Sequence, residues 1–225
     1  MRMTDCRFLT HAEIEASAND LLAGYAARFG ACQHANTPLE EIVESHLAVS
    51  LRFENLQDEF QSPETILGAT FLQSHEIVIS DALDPCEYPA REGRYRFTLA
   101  HEIGHWVLHR PQAMATPQAS LILCRSMSRP DRLEWQANQF AGYLLMPAAL
   151  IHIGWEKMYG SSRPMIVVDE LLRVTHASLH AGRGTVMPLV KDLARIFHVS
   201  SHAMQIRLVG MGLIVGQTVI TPTLA

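Results

Sequence analysis

The chain has no long apolar run. Its apolar stretches, such as 210–220, are short and broken by glycine, so none can span a bilayer as a helix. It has no strong excess of either charge: 18 basic residues face 23 acidic ones, a formal net charge of −5. That balance provides no global attraction for nucleic acid or an anionic membrane surface. The four cysteines, Cys6, Cys32, Cys86 and Cys124, form no C-x-x-C pair, and the opening residues lack the apolar core of a signal peptide. The expectation is a cytoplasmic protein with reduced thiols and no disulfide framework. Repeats and low-complexity segments are also missing. A length of 225 residues with 48% hydrophobic composition then reads as one large folded domain, or a domain with a small appendage.

What is present is concentrated in 94–109, whose centre reads His101-Glu102-x-x-His105. Residues four apart on a helix lie about 6 Å apart along the axis and about 40° apart around it. Both imidazoles can therefore reach one metal ion, with Glu102 flanking the same face as a carboxylate base rather than a ligand. Phe97, Leu99, Ile103, Trp106 and Val107 are expected to form the buried side of this helix, and Pro111 to stop it. Gly104 in mid-helix costs about 1 kcal/mol relative to alanine, which points to another element coming close beside His105.

Around this segment the chain alternates helices and short strands. Thr10-x-x-Glu13 is a capping box opening a helix with the stripe Ile14, Ala18, Leu21, Leu22, Tyr25 and Phe29. Thr37-Pro38 predicts a second helix start, with Thr37 as N-cap. Residues 51–56, 66–72 and 76–80 read as strands, the last two as a hairpin whose edge could bind an extended substrate. Residues 112–130 are polar, punctuated by Pro117 and Pro130, and read as a loop beside the cleft. A strong helix starts at Asp131 with the stripe Leu133, Ala137, Phe140, Ala141, Leu144 and Leu145. Residues 148–186 carry little pattern. From 187 a helical stripe, a turn at 199–201 and a second short helix outline a helix–turn–helix-like module. The fold class is α+β, mainly helical with a small antiparallel sheet, divided into a domain at 1–150, a connection at 151–186 and the module at 187–225.

A catalytic zinc usually has three protein ligands and one open position. Glu134, in the first turn of the helix after the loop, is the best third ligand. Asn138, one turn further on, could accept the ring N–H of a ligating histidine. Among 12 histidines, His109 continues the i, i+4 series and could extend or mimic the site, while His176 and His180 form another such pair without an adjacent glutamate. Tyr143, His176 and His180 are candidates for stabilising an oxyanion.

The segments Arg96–His109 and Glu134–Pro147, together with the tail pattern Leu193-Ala194-x-x-Phe197-x-Val199-Ser200-x-x-Ala203-x-x-x-Arg207-Leu208, resemble the ImmA/IrrE metallopeptidases over about 94–213. The resemblance implies a zincin-like, zinc-dependent peptidase with His101, His105 and Glu134 as ligands and Glu102 as the catalytic carboxylate. It also implies a protein substrate, a helix–turn–helix repressor whose cleavage switches on stress-response or mobile-element genes. Residues 148–186 do not share in it. A contrasting reading is a DNA-associated or partner-binding regulator with a structural or inactive metal site. Against DNA reading, the tail carries Lys191, Arg195 and Arg207 beside Asp192, few cations for the several phosphate contacts a recognition helix makes.

Overall fold

The computed structural model describes residues 7–30, 35–61, 65–113, 121–125, 132–168 and 186–217. It separates into two compact units, Met1–Pro147 and Ala148–Ala225.

The first unit opens with α1 (His11–Phe29), whose capping box forms as expected: Thr10 Oγ1 accepts from the Glu13 amide and Glu13 accepts from the Thr10 amide. Ile14, Ala18, Leu21 and Tyr25 are buried along one stripe. The next helix, α2 (Leu39–Glu41), runs into a π turn at Ile42–His46. Thr37 does not cap it. Its hydroxyl instead donates to the Leu144 carbonyl, 3.0 Å away, satisfying an acceptor in the last turn of a distant helix.

Strand β1 (Ser50–Glu54) is followed by α3 (Leu56–Phe60), β2 (Ile66–Phe71) and β3 (Glu76–Ser80). The hairpin β2–β3 is antiparallel, but β1 adds to β3 in parallel, its chain crossing over through α3 to reach β2. The sheet is therefore mixed, in the order β1-β3-β2-β4. Both edges of the hairpin are covered, so an extended chain cannot add to the hairpin itself. Leu56, Ile66, Ala69 and Val78 form a core on one face of the sheet, with Phe60 and Phe71 against it.

Helix α4 (Glu92–Gly104) faces the sheet and continues through a π turn at His105–His109 into α5 (Arg110–Ala113). Pro111 does not stop the helix where expected. The helix runs on through it to Ala113. Residues 121–125, expected to belong to a loop, form strand β4 (Leu121–Arg125) against β2, and the flanking 114–120 and 126–131 lie outside the described residues. The first unit closes with α6 (Arg132–Leu145), which buries Leu133, Ala137, Phe140, Ala141, Leu144 and Leu145.

The second unit contains α7 (Ala148–Tyr159), β5 (Met165–Val168), α8 (Val186–Ile196), α9 (Ser201–Gly210) and β6 (Ile214–Gln217). Helix α7 and β5 come from the stretch read as an unpatterned connection. A Cβ at Gly154 would lie 3.0 Å from Leu193, so that glycine lets α7 press on α8. Strands β5 and β6 pair in parallel. Leu189, Val190, Leu193, Ala194 and Phe197 are buried, and Ser200 caps α9 by accepting from the Ala203 amide. Helices α8 and α9 fall on the expected helical stripe and short second helix, as parts of a unit that also contains α7 and a strand pair. No helix among the described residues is long and apolar enough to cross a membrane.

Candidate metal centre

Helix α4 lies between β2 and α6, and its sequence is buried around the motif: His101, Glu102, Gly104, His105 and His109 are all inaccessible or nearly so. Such burial of polar groups is sustainable only where each is satisfied. The approach of α6 depends on Gly104. A Cβ there would lie 3.2 Å from the Ala137 Cα and carbonyl oxygen and 3.2 Å from the Phe140 ring. The small residue in mid-helix is thus the contact point of the two helices. Glu134, one turn before Ala137, and Asn138, next to it, project from α6 at the histidines. Arg96, buried on α4, donates to the Thr37 carbonyl at 2.8 Å, and Thr37 in turn donates to Leu144, so the far end of α6 is tied to the same helix.

His101 Nε2 and His105 Nε2 are 2.9 Å apart. The Glu134 carboxylate spans them, with Oε2 3.3 Å from His101 Nε2 and Oε1 3.3 Å from His105 Nε2. Burial opposes ionisation of Glu134, but its hydrogen bonds with His101 and His105 outweigh that and hold the carboxyl at about 2. The outer ring nitrogens also have partners. His101 Nδ1 is 3.0 Å from the Asn138 amide oxygen, which can only accept, so the His101 proton resides on Nδ1. His105 Nδ1 is 2.9 Å from His109 Nδ1. Burial, and then the neighbouring His105, lower His109 to about 3, so it is neutral, and one proton lies between the two facing Nδ1 atoms. His109 also lies beside Gln136, whose side-chain nitrogen donates to the Arg7 carbonyl at 3.2 Å.

Two imidazole Nε2 atoms and one ionised carboxylate thus converge, and a bound cation would take the place of the protons that bridge them. Such a donor set suits a cation. His101, His105 and Glu134 can hold a metal ion, their ligand atoms lying within 4.8 Å of one another. Ligand atoms at zinc–nitrogen distances of 2.0–2.1 Å around a tetrahedron are about 3.4 Å apart, close to the 3.3 Å separations here.

Residues 87–209 match the IrrE N-terminal-like domain of peptidase family M78. The chain belongs to this family. No curated protein matches it. Among solved structures it is similar to a Mycobacterium tuberculosis transcriptional regulator, with 16% identity and a TM-score of 0.48. The similarity covers 93% of this chain and 57% of that one, so the chain spans little more than half the length of that structure.

In this IrrE-like chain the structure separates the remaining candidates. His109 lies behind His105 and touches it through Nδ1, away from the Nε2 cluster. The Tyr143 hydroxyl is 2.7 Å from His11 Nδ1, on the side of α6 that packs against α1. His176 and His180 lie outside the described residues. Two contributors went unread in the sequence. The π turn that brings His105 and His109 into register has no distinct residue pattern, although such turns are frequent at functional sites. On the other side of α4, Thr70 Oγ1 donates to Glu102 Oε2 at 2.5 Å.

Proposed function

We propose that the chain is a zinc-dependent endopeptidase that cleaves a helix–turn–helix repressor in the cytoplasm. The observation carrying this reading is the convergence of two imidazole nitrogens and an ionised carboxylate, with the buried Glu102 carboxylate one residue along the same helix. Two nitrogens and an oxygen suit zinc, and three protein ligands leave a fourth position open, the pattern of catalytic rather than structural sites.

Bound there, zinc polarises a scissile carbonyl and increases the acidity of water. His101, His105 and Glu134 would hold it, with Asn138 and His109 engaging the outer nitrogens of the two imidazoles. Glu102 takes the proton from the attacking water as the new C–O bond forms. It returns that proton to the amine nitrogen as the C–N bond breaks. The substrate class is carried by family membership, not by these distances.

Incubation of the purified protein with the helix–turn–helix repressor encoded beside it, with and without chelator, tests the reading. Cleavage is expected only in the metal-loaded protein, at about one zinc per chain. Glu102→Gln is expected to keep the zinc and lose cleavage by about 10²–10⁴-fold, the usual contribution of general acid–base catalysis. Undiminished cleavage by Glu102→Gln would overturn the mechanism.

A further inference from the structure

Strand β2 meets Glu102 from the side of α4 opposite α6. A bulge is present where β2 pairs with β4: Ile66 faces Arg125 and Gly68 faces Cys124, so Leu67 is the extra residue. The bulge changes the alternation of the strand. Ile66 and Ala69, three apart, share the core face with Leu56 and Val78, while Gly68 and Thr70 are turned to α4. A Cβ at Gly68 would lie 2.5 Å from Glu102 Oε1 and 3.0 Å from its Cγ and Cδ. No side chain but hydrogen leaves room for the carboxylate in this position. Two residues on, the Thr70 hydroxyl donates to Glu102 Oε2 at 2.5 Å, the short length of a hydroxyl on an ionised carboxylate.

We propose that β2 positions the Glu102 carboxylate, with Gly68 supplying its space and Thr70 its orientation. This rests on Glu102 acting as the base. Glu102 is one residue from His101, and rotation about its side-chain bonds could turn the carboxylate away from the attacking water without disturbing the ligands. A hydroxyl on one oxygen and a strand backbone behind the other remove that freedom. Gly68 and Thr70 are positioning residues: they act on the reaction through Glu102. Their loss is expected to leave zinc in place and reduce turnover, whereas losses on the α6 side release the zinc.

The test compares Thr70→Val, Thr70→Ser, Gly68→Ala and Glu102→Gln in the zinc-loaded full chain. Bound zinc, melting temperature, kcat and KM for the neighbouring repressor, and crystal structures of the variants are measured. Thr70→Val is expected to lower kcat by about 10²-fold, the effect of a misplacement near 1 Å, with KM and zinc content unchanged. Thr70→Ser, which keeps the donor, is expected to recover most of that loss. Gly68→Ala is expected to show Glu102 in a different rotamer and a comparable loss of kcat. If Glu102→Gln is inactive while Thr70→Val and Gly68→Ala turn over at the wild-type rate, the positioning role is overturned and the base is not. If Glu102→Gln remains active, both fall. Should Gly68→Ala not fold, the Val and Ser pair at Thr70 still decides.

Discussion

On the α6 side of helix α4 the contacts are made by groups with charge or strong dipoles: Glu134 spans two imidazoles and Asn138 accepts from a third nitrogen. On the β2 side they are made by a hydroxyl and by the space left at a glycine. The α6 side faces the atoms that can hold a metal, and the β2 side faces the carboxylate beside them. A cation is held by donors, which must be ionised or lone-pair-bearing residues. A base that must stay put needs only one hydrogen bond and a tight fit. The two flanks should therefore fail in different ways.

The largest effect is expected from Glu134→Ala. It removes the only carboxylate among the three converging donors and leaves the two imidazoles alone. Zinc affinity is expected to fall by more than the roughly 10–100-fold typical of losing an outer partner, and cleavage to disappear with the metal. Metal analysis after equilibrium dialysis reads this directly. Unchanged zinc content would remove Glu134 from the ligand set and end the contrast between the flanks.

A smaller effect is expected at His109, whose contact with His105 lies behind the site. His109→Leu keeps much of the buried volume but removes the hydrogen-bond partner of His105 Nδ1. The ring is then free to present the wrong tautomer, and His105 Nδ1 is left buried without that partner. Zinc affinity is expected to fall by about 10–100-fold, measured by competition with a chromophoric chelator. His109→Gln, which can still offer an oxygen, is expected to lose less. Equal affinities for wild type and His109→Leu would show that the tautomer of His105 is set elsewhere.

The two flanks also differ in how much of them was legible beforehand. His101, Glu102, His105, Glu134 and Asn138 are polar residues at helical spacing on two well-patterned helices, and the structure brings all but Glu102 within 3.3 Å of a neighbour in that set. Gly104 could be read as a point of close approach because a glycine in mid-helix needs a reason. Gly68 did carry a mark, since a glycine inside a strand suggests a bulge or a close approach, but what approaches it is not in the sequence; Thr70 is an ordinary strand residue until a tertiary contact gives it a role. Strand β4 was hidden for another reason. Five residues between proline-punctuated polar stretches pair only because β2 offers an edge, and that pairing is non-local. Helix α7 was missed because Ile151 and Trp155 are its only fully buried residues, a stripe too sparse to register. The π turn at His105–His109 cannot be told from an α-helix by periodicity over five residues.

The smallest effect, and the sharpest comparison, comes from Gly104→Ala set beside Gly68→Ala. Each glycine marks where an element presses on or near Glu102's helix, and each substitution adds one methyl group. At Gly104 the new Cβ meets backbone of α6, at 3.2 Å from both the Cα and the carbonyl oxygen of Ala137, so the helices must part by a few tenths of an ångström. Overpacking costs about 1–3 kcal/mol, and the gain in helix propensity returns up to about 1 kcal/mol. A net loss of about 1 kcal/mol in unfolding free energy is expected from denaturant titration, with weaker zinc binding because Glu134 moves with α6. At Gly68 the Cβ meets only the end of the Glu102 side chain, which can swing away, so zinc binding should persist while turnover falls. If both variants lose zinc equally, the two sides of α4 are mechanically one unit and the division between metal-holding and base-positioning flanks does not hold.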